Sequence, residues 1–230
     1  RGIDSPIVIL CVPDDVISIV ASQLDSPPGS LVAHCAGSRG LDVLDSCPGT
    51  DTHAGSIHPV MVLARGGRGP EAMQGATAAI EGDAISEPWL RQLACDLGMR
   101  PVSIPPERRA LYHLSAGLVG GLMTGLLAAS ADLWKLLDLD RSTAVDALAP
   151  MVREAGLNLE TLGVPGVVMG PAARGDIGTI RKHLDELERH APHLLPLYRE
   201  LALLSIPYAT ERDLLDAESA SEVRGILESG

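Results

Sequence analysis

The chain has 230 residues, which is long enough for one large domain or two small ones. Its formal charge of −12 argues against a broad nucleic-acid or anionic-membrane surface, because both require a positively charged face. Phenylalanine is absent and the chain has only two Trp and three Tyr, so aliphatic side chains and alanine must build the core.

The cysteines and histidines show no metal-ligand spacing. The four cysteines contain no C-x-x-C pair and lie on or beside apolar segments: Cys11, Cys35, Cys47 and Cys95. This favours reduced thiols in a cytoplasmic protein over a disulfide framework or a zinc site. Pro192 breaks the helix that would be needed to pair His190 with His193, and we predict no metal site. No charged segment followed by an apolar one opens the chain, so we expect no secretion signal.

The first half of the chain alternates strand and helix patterns. The opening stretch PIVILCVPDD, residues 6–15, is apolar without strict alternation, which is typical of a strand buried on both faces. Further predicted strands are LVAHCAG, THAGSIHPVMVL, ATAAIEGD and RPVSIP; predicted helices are VISIVASQL, GLDVLDSC and SEPWLRQLACDLG, the last capped by Ser86 and ended by Gly98. This alternation predicts an α/β sheet with crossover helices.

From Pro105-Pro106 onward the pattern is helical. One long helix begins there, and amphipathic helices follow, among them IGTIRKHLDELERH with Asp176 as its predicted N-cap. We therefore predict a Rossmann-type α/β domain over residues 1–106 and an all-helical dimerisation or substrate domain over residues 107–230.

The long helix contains a glycine stripe. Residues 114–131 are uncharged, at the lower limit for a membrane span, and Gly117, Gly121, Gly125 and Ala129 recur every fourth residue. Each glycine costs a helix about 1 kcal/mol relative to alanine, so the stripe calls for the close approach of another backbone. Because the flanking helices are amphipathic, we expect packing in a bundle or against a second copy in a homodimer, and no membrane span.

Six motifs in order between residues 6 and 208 carry a family resemblance: VILCVPDD, VAHCAGSRGLDVL, GSIHP, AIEGD, RRALYHLSAG and GPAARGD. The chain resembles a bacterial Rossmann-like oxidoreductase family whose C-terminal half is a domain of unknown function. Its organisation is similar to that of dehydrogenases with a 6-phosphogluconate-dehydrogenase-like C-terminal domain. The resemblance implies that VILCVPDD is the fourth strand of a nucleotide-binding sheet, after a glycine-rich βαβ unit of roughly 30 residues. That unit is either truncated, disordered or lost, so the predicted Rossmann-type sheet is incomplete.

The ends of the strands supply the candidate cofactor and substrate residues. His34 and His58 lie at the sheet edge where ligands bind in open α/β sheets, although a neutral histidine can also lock such a turn through backbone bonds. The resemblance implies that Val12, Pro13 and Asp14 skirt the ribose and nicotinamide of NADP or NAD, with His34 and Gly37 beside them and His58 toward the substrate. Asp14 could equally cap a helix.

Two departures from the family pattern weaken the substrate contacts that the resemblance implies. Ala36 replaces the serine of the usual His-x-Ser-Gly motif, so a hydroxyl expected near the nicotinamide is absent. VMVLA follows His58-Pro59 where the family often has Gln and Phe.

Early in the long helix lie the candidate catalytic residues. Related dehydrogenases place a lysine and, four residues later, an asparagine there, and the matching positions are Arg109 and His113. Arg109 could orient a carboxylate or an oxyanion, and His113 could donate a proton near neutral pH. Alternatively, His113 is a buried, hydrogen-bonded histidine. Tyr112 lies about 100° around the helix from His113 and is assigned to packing.

Arg174, in GPAARGD, is a candidate ligand for a substrate carboxylate, with a solvated loop arginine as the alternative. Taken with the resemblance, these residues favour an NAD(P)-dependent oxidoreductase acting on a small keto or hydroxy acid, similar in outline to ketopantoate reductase. The alternative is a cofactor-free dimeric binding or regulatory protein that has lost dehydrogenase activity. The absent glycine turn, Ala36 and the lack of a catalytic lysine favour that alternative.

Overall fold

The computed structural model describes residues 5–49 and 51–229. Its contacts divide the chain into two compact units, Arg1–Gly125 and Leu126–Gly230. The boundary predicted near residue 106 lies just after the last described strand, which ends at Ser103. The following helical residues are grouped with the sheet as far as Gly125.

The first unit contains a five-stranded sheet whose strands lie in chain order: β1 (Ile7–Leu10), β2 (Leu31–His34), β3 (His53–Pro59), β4 (Thr77–Gly82) and β5 (Arg100–Ser103). The pairs β1–β2, β2–β3 and β4–β5 are parallel, whereas β3–β4 is antiparallel. The predicted α/β class is confirmed, and β4 alone among the described strands runs antiparallel to the strand before it in the chain. The glycine-rich segment between β3 and β4 forms only a 3-10 turn, Gly69–Met73, and antiparallel neighbours need no helical crossover.

Helices cover both faces of this sheet. Those of the first unit that flank it are α1 (Ile17–Ala21), the 3-10 helix Leu41–Leu44 and α2 (Ser86–Asp96). Val32 packs with Ile17 in one core cluster, and its neighbours Leu31 and Ala33 pack with Leu90 in the other. Successive side chains of a strand point to opposite faces, so β2 is buried on both sides, as its apolar run predicts.

The N-terminus of α2 is capped by a different residue from the one predicted. Asp83 Oδ1 accepts hydrogen bonds from the backbone N–H groups of Ile85 and Ser86, at 2.9 and 2.7 Å. Ser86 is the first helical residue, and its hydroxyl donates to the carbonyl oxygen of Ala54 in β3 at 2.6 Å. Ser86 therefore ties the helix to the sheet, while Asp83 serves as the cap.

The long helix spans Pro106–Leu137 and comprises α3 (Arg109–Gly117), a π segment (Leu118–Leu122), α4 (Met123–Leu133) and a 3-10 turn at each end. Within the described part of the chain it is the one helix long and apolar enough to cross a membrane, judged by length and composition, and 6% of its most apolar window is buried. A Cβ added to Gly117, Gly121 or Gly125 would meet nothing within 4 Å. The close approach expected along the glycine stripe is therefore not made by the described residues of this chain.

The second unit contains the rest of α4 and four more helices: α5 (Arg141–Gly166), α6 (Ile177–His190), α7 (Leu195–Glu211) and α8 (Ala217–Glu228). An aspartate caps each of α5, α6 and α8 by accepting a backbone N–H bond three residues later: Asp140, Asp176 and Asp216. The prediction for Asp176 is confirmed. Ile180, Ile206 and Val223 contribute to its core, together with several alanines.

Candidate active site

The carboxyl ends of the three parallel strands β1, β2 and β3 bring candidate residues to one edge of the sheet. Asp14 follows β1, Gly37 follows β2, and His58 is the second-last residue of β3. The hydroxyl of Ser38 donates to Asp14 Oδ2 at 3.3 Å, so the loops after β1 and β2 touch. Ligands bind at this edge in open α/β sheets.

A cluster of three side chains, His58, Tyr112 and His113, joins this edge to α3; we call it the histidine cluster. His58 Nδ1 and the Tyr112 hydroxyl share a hydrogen bond of 2.7 Å, and their rings meet edge to face at 5.7 Å. The ring centroids of His58 and His113 are 5.8 Å apart. Tyr112, assigned to packing from the sequence, packs edge to face on His58 and also shares a hydrogen bond with it, and the His58 ring reaches His113 as well.

The sequence contains a signal that would have found Tyr112. Tyr112 and His113 lie three and four residues after Arg109, and residues at both spacings are neighbours on a helix surface. One face of α3 can therefore present all three side chains. The 100° between Tyr112 and His113 does not exclude a shared site, since the partner ring sits between them.

Gly37 permits the close approach of the two histidines to the loop after β2. A Cβ at this position would lie 2.5 Å from His113 Cδ2 and 2.7 Å from His58 Cε1, which is closer than side chains tolerate. The structure thus brings together Gly37, His58 and His113, which were predicted as a cofactor, a substrate and a catalytic residue.

Arg109 is buried in a polar network that fixes α3 to the sheet. Its side chain is 2% exposed, and Nη1 donates to Glu81 Oε2 at 2.7 Å. Nη2 donates to the Ala36 carbonyl oxygen at 2.9 Å and to the Ser56 hydroxyl at 2.8 Å. These contacts make Arg109 a residue that positions α3 against β3, β4 and the loop after β2. A direct contact between Arg109 and a substrate stays a prediction.

His34 locks the turn after β2. Its ring is fully buried; Nδ1 accepts from the backbone N–H of Ala36 at 3.2 Å, so Nε2 carries the proton and donates to the Gly40 carbonyl oxygen at 3.1 Å. Burial lowers the pKa of His34 below its ordinary value. Backbone groups occupy both ring nitrogens, so His34 is a neutral histidine that locks the turn. Its side chain has no free hydrogen-bonding atom for a cofactor.

Burial and charge set the protonation states in the histidine cluster. Burial, reinforced by His113 and Arg109, lowers the pKa of His58 to about 4. Burial raises the pKa of Tyr112, with the Arg109 charge acting in the opposite direction. At neutral pH, His58 is therefore uncharged and Tyr112 keeps its phenolic proton. A neutral hydrogen-bonded pair of this kind can hold and transfer a proton.

A groove of about 560 Å³ opens at the histidine cluster, within the size range of small-molecule sites. It is lined by residues of segments 58–62 and 112–121, mostly apolar, with Ser115 adding a hydroxyl. Val62 Cγ2 would lie 3.4 Å from a Cβ on Gly120, so the two segments face each other closely. The VMVLA segment that departs from the family pattern thus forms one wall.

The remaining predicted residues lie outside the cluster. Val12 is half-buried against the core, and Pro13 is exposed before the turn Asp14–Val16. Arg174 is exposed in the turn Ala172–Arg174 of the second unit, and its contact with a substrate stays a prediction.

Comparison with known proteins identifies related sequences and folds. A family model described as Domain of unknown function (DUF2520) matches residues 76–204. Protein TM1727 from Thermotoga maritima is 24% identical, with a TM-score of 0.73 over 93% of this chain and 81% of that one. An assigned NADP oxidoreductase from Bacteroides fragilis, BF3122, is 21% identical, with a TM-score of 0.71 over 87% and 75% of the two chains. No curated protein matches the sequence.

A more distant structural neighbour was solved with a cofactor bound. The pyrroline carboxylate reductase of Plasmodium falciparum, solved with NADP bound, is 11% identical, with a TM-score of 0.56 over 97% of this chain and 78% of that one. At these identities the similarity shows the fold, which is that of Rossmann-like NAD(P)-dependent reductases. The predicted Rossmann-like fold is confirmed, and the chain matches a family of unknown function over residues 76–204. The oxidoreductase activity and the finer 6-phosphogluconate-dehydrogenase-like label stay predictions.

Proposed function

Because the chain belongs to the DUF2520 family and has the fold of NAD(P)-dependent reductases, we propose that it is an NAD(P)-dependent oxidoreductase acting on a small keto or hydroxy acid. The observation that carries this proposal is the histidine cluster at the carboxyl edge of the sheet. It places a protonated phenol and a neutral imidazole beside a groove, where an oxidoreductase needs a proton donor.

The residues at this edge fit a nicotinamide cofactor, either NADP or NAD. The backbone of Val12, Pro13 and Asp14 and the glycine at Gly37 lie where open α/β sheets bind ligands. The rings of His58 and His113 fill the space that a side chain at Gly37 would take, so these rings would lie beside a cofactor bound at this edge. When bound, the cofactor would supply or accept the hydride.

Tyr112 is the proton donor that this geometry favours. Its phenolic proton would pass to the substrate oxygen as that oxygen gains negative charge. The phenolate left behind would accept a hydrogen bond from His58 Nδ1–H and would be stabilised by the positive charge of Arg109. His113, which is exposed and close to His58, is the competing donor.

For an acid substrate, the proposed carboxylate ligand is Arg174. It is exposed on a turn ended by Gly175 in the left-handed conformation, and a guanidinium can bind a carboxylate through two parallel hydrogen bonds. Replacing Arg174 with alanine should raise KM for the acid and leave the affinity for the nicotinamide cofactor unchanged.

A homodimer would cover the apolar face of the long helix. Leu118, Val119 and Leu122 are 54%, 63% and 65% exposed, and the glycine stripe beside them meets no described neighbour. A second copy supplies both an apolar surface and the backbone approach that glycines in a helix call for. Leu122→Arg should convert a dimer to a monomer in sedimentation, whereas Ile19→Arg, at an exposed position on α1, should not. A monomeric wild type, or one that requires detergent, would contradict the homodimer.

Cofactor binding is tested by the melting temperature of the full-length protein with NADPH and with NADH. A ligand at a hundred times its Kd should stabilise the fold by about 2.7 kcal/mol, or about 5–10 °C. No shift with either cofactor at millimolar concentration would contradict the proposed oxidoreductase and would support a cofactor-free binding protein instead.

Proton donation is tested by keto-acid-dependent oxidation of the reduced cofactor. Tyr112→Phe should lower kcat by about 10²–10⁴-fold while keeping the cofactor-induced shift. The matched control is Tyr198→Phe, which removes a hydroxyl hydrogen-bonded to a histidine in the second unit. If His113→Asn abolishes turnover and Tyr112→Phe does not, His113 is the donor.

A further inference from the structure

Two thiols face each other at the same edge of the sheet. Cys11 follows β1 and Cys35 follows β2, one position beyond the paired residues Leu10 and His34. Their Sγ atoms are 3.7 Å apart. Neither cysteine takes part in the proton chemistry above.

We propose that Cys11 and Cys35 are a reversible oxidation site that forms an intramolecular disulfide on exposure to a hydroperoxide. Cys11 Sγ first attacks the peroxide oxygen, giving a sulfenic acid and releasing one water or alcohol. Cys35 Sγ then attacks the sulfenic sulfur, forming the S–S bond and releasing water. The two thiols together lose two electrons and two protons, and the hydroperoxide is the oxidant.

The backbone geometry suits this bond. Neighbouring strands lie about 4.8 Å apart, and disulfides join Cα atoms separated by about 4.4–6.8 Å. The two sulfur atoms already touch, and they lie past the last paired residues, where the strands are less constrained. Closing the bond therefore requires rotation of two side chains and a small shift of two loop residues.

Exposure decides the order of the two steps. Cys11 is exposed and meets the oxidant, whereas Cys35 is half-buried. Burial, with the adjacent Cys11, raises the pKa of Cys35 to about 12, so Cys35 is a thiol at neutral pH. The exposure of Cys11 therefore assigns the first oxidation to it and leaves the resolving attack to Cys35, which must lose its proton to attack. The raised pKa of Cys35 agrees with reduced cysteines as the resting state.

The bond would tie together the two loops proposed to hold the cofactor. Cys11 directly precedes Val12–Asp14, and Cys35 directly precedes Ala36, whose carbonyl oxygen accepts from Arg109. We therefore expect oxidation to change the affinity for NADPH or NADH, an expectation that rests on the proposed function. Disulfide formation itself does not rest on it.

The chemical test treats the full-length protein with hydrogen peroxide. Wild type should lose two of its four thiols and two hydrogen atoms of mass, with Cys11 and Cys35 in one cross-linked peptide, and dithiothreitol should reverse the change. Cys11→Ser and Cys35→Ser should form no internal disulfide, whereas Cys95→Ser, which removes an exposed thiol of α2, should behave as wild type. Four remaining thiols in wild type, or oxygen added to Cys11 without the cross-link, would overturn the proposal.

The functional arm compares the NADPH and NADH melting shifts of the reduced and the oxidised protein. The shifts give an apparent Kd for each form. A Kd that differs at least several-fold between the reduced and the oxidised protein would support the coupling, and equal Kd values would overturn it. If the reduced protein binds neither cofactor, the proposed function fails, while the mass measurement still decides whether the disulfide forms.

Discussion

Each of the two units contains a histidine hydrogen-bonded to a tyrosine, and the two pairs have nearly the same geometry. His58 and Tyr112 meet at 2.7 Å with ring centroids 5.7 Å apart; His183 and Tyr198 meet at 3.0 Å, also with centroids 5.7 Å apart. Their surroundings differ, because His183 is exposed, whereas His58 is partly buried beside His113 and Arg109. The two pairs therefore share their local geometry and differ in burial and in neighbouring charge.

The same contrast extends to the cores. Among the residues that the structure describes, five polar or charged side chains are buried, and all belong to the first unit: Ser30, His34, Ser56, Ser86 and Arg109. Burying a polar group costs free energy unless it is hydrogen-bonded. Ser56 and Arg109 bond to each other where α3 meets the sheet. Ser30, His34 and Ser86 bond to backbone groups instead. In the second unit, three aspartates cap helices: Asp140, Asp176 and Asp216.

The largest expected effect is on the buried ion pair. Arg109→Met leaves Glu81, whose side chain is 14% exposed, without its partner, and should lower the free energy of unfolding by about 3–5 kcal/mol. Arg141 of the second unit is the matched control, because it contacts Asp132 through two hydrogen bonds but is 63% exposed. Arg141→Met should change little in urea unfolding, since solvent screens such pairs. Equal losses of unfolding free energy in both variants would show that burial does not make the ion pair of the first unit stronger than that of the second.

The second effect is on the pH dependence of stability. His58 has a pKa of about 4 in the fold and 6.5 when unfolded, so between these values the unfolded chain binds more protons. Stability should therefore be complete above about pH 6.5 and fall as the pH drops toward 4, by about 3 kcal/mol at most from this residue. The buried His34 acts in the same direction.

His58→Gln should make the unfolding free energy less dependent on pH over this window, leaving the part that His34 contributes. Urea titrations at several pH values between 4 and 7 measure the slope. An unchanged slope in the variant would mean that His58 is not held neutral by its surroundings.

A glycine in each unit gives the third contrast. A Cβ at Gly37 would press on both histidines, so Gly37→Ala should cost about 1–3 kcal/mol through overpacking. Gly225 lies within α8, exposed and with nothing within 4 Å of an added Cβ. Gly225→Ala should instead stabilise the fold by up to about 1 kcal/mol, because alanine favours the helix. Opposite signs in thermal unfolding are expected, and a stabilising Gly37→Ala would remove the evidence for close packing in the cluster.

Sequence patterns predicted the fold better than the site. Apolar runs located the five strands, and the absence of strand patterns after Ser103 located the helical half. The direction of β4 escaped prediction because a glycine-rich connection looks the same before a parallel or an antiparallel strand. Arg109, Gly37 and His58 were all selected from the sequence, but their roles depend on which atoms meet across separate elements. A buried ion pair between residues 81 and 109, or a phenol beside an imidazole 54 positions away, leaves no local pattern.

The smallest expected effect concerns the cap of α2. Asp83 accepts bonds from the N–H groups of Ile85 and Ser86 and from His53 Nδ1, and Asp83→Ala should cost about 1 kcal/mol. Burial would raise the pKa of Asp83, but these hydrogen bonds outweigh it and lower the pKa to about 2. The contribution of the charge is thus present above about pH 4 and lost as the pH falls through 2. Asp83→Asn keeps an acceptor oxygen and should lose less than Asp83→Ala at pH 7, with the difference from wild type shrinking in acid. If both variants match wild type, the sheet bond from Ser86 to Ala54 holds the helix start without a cap.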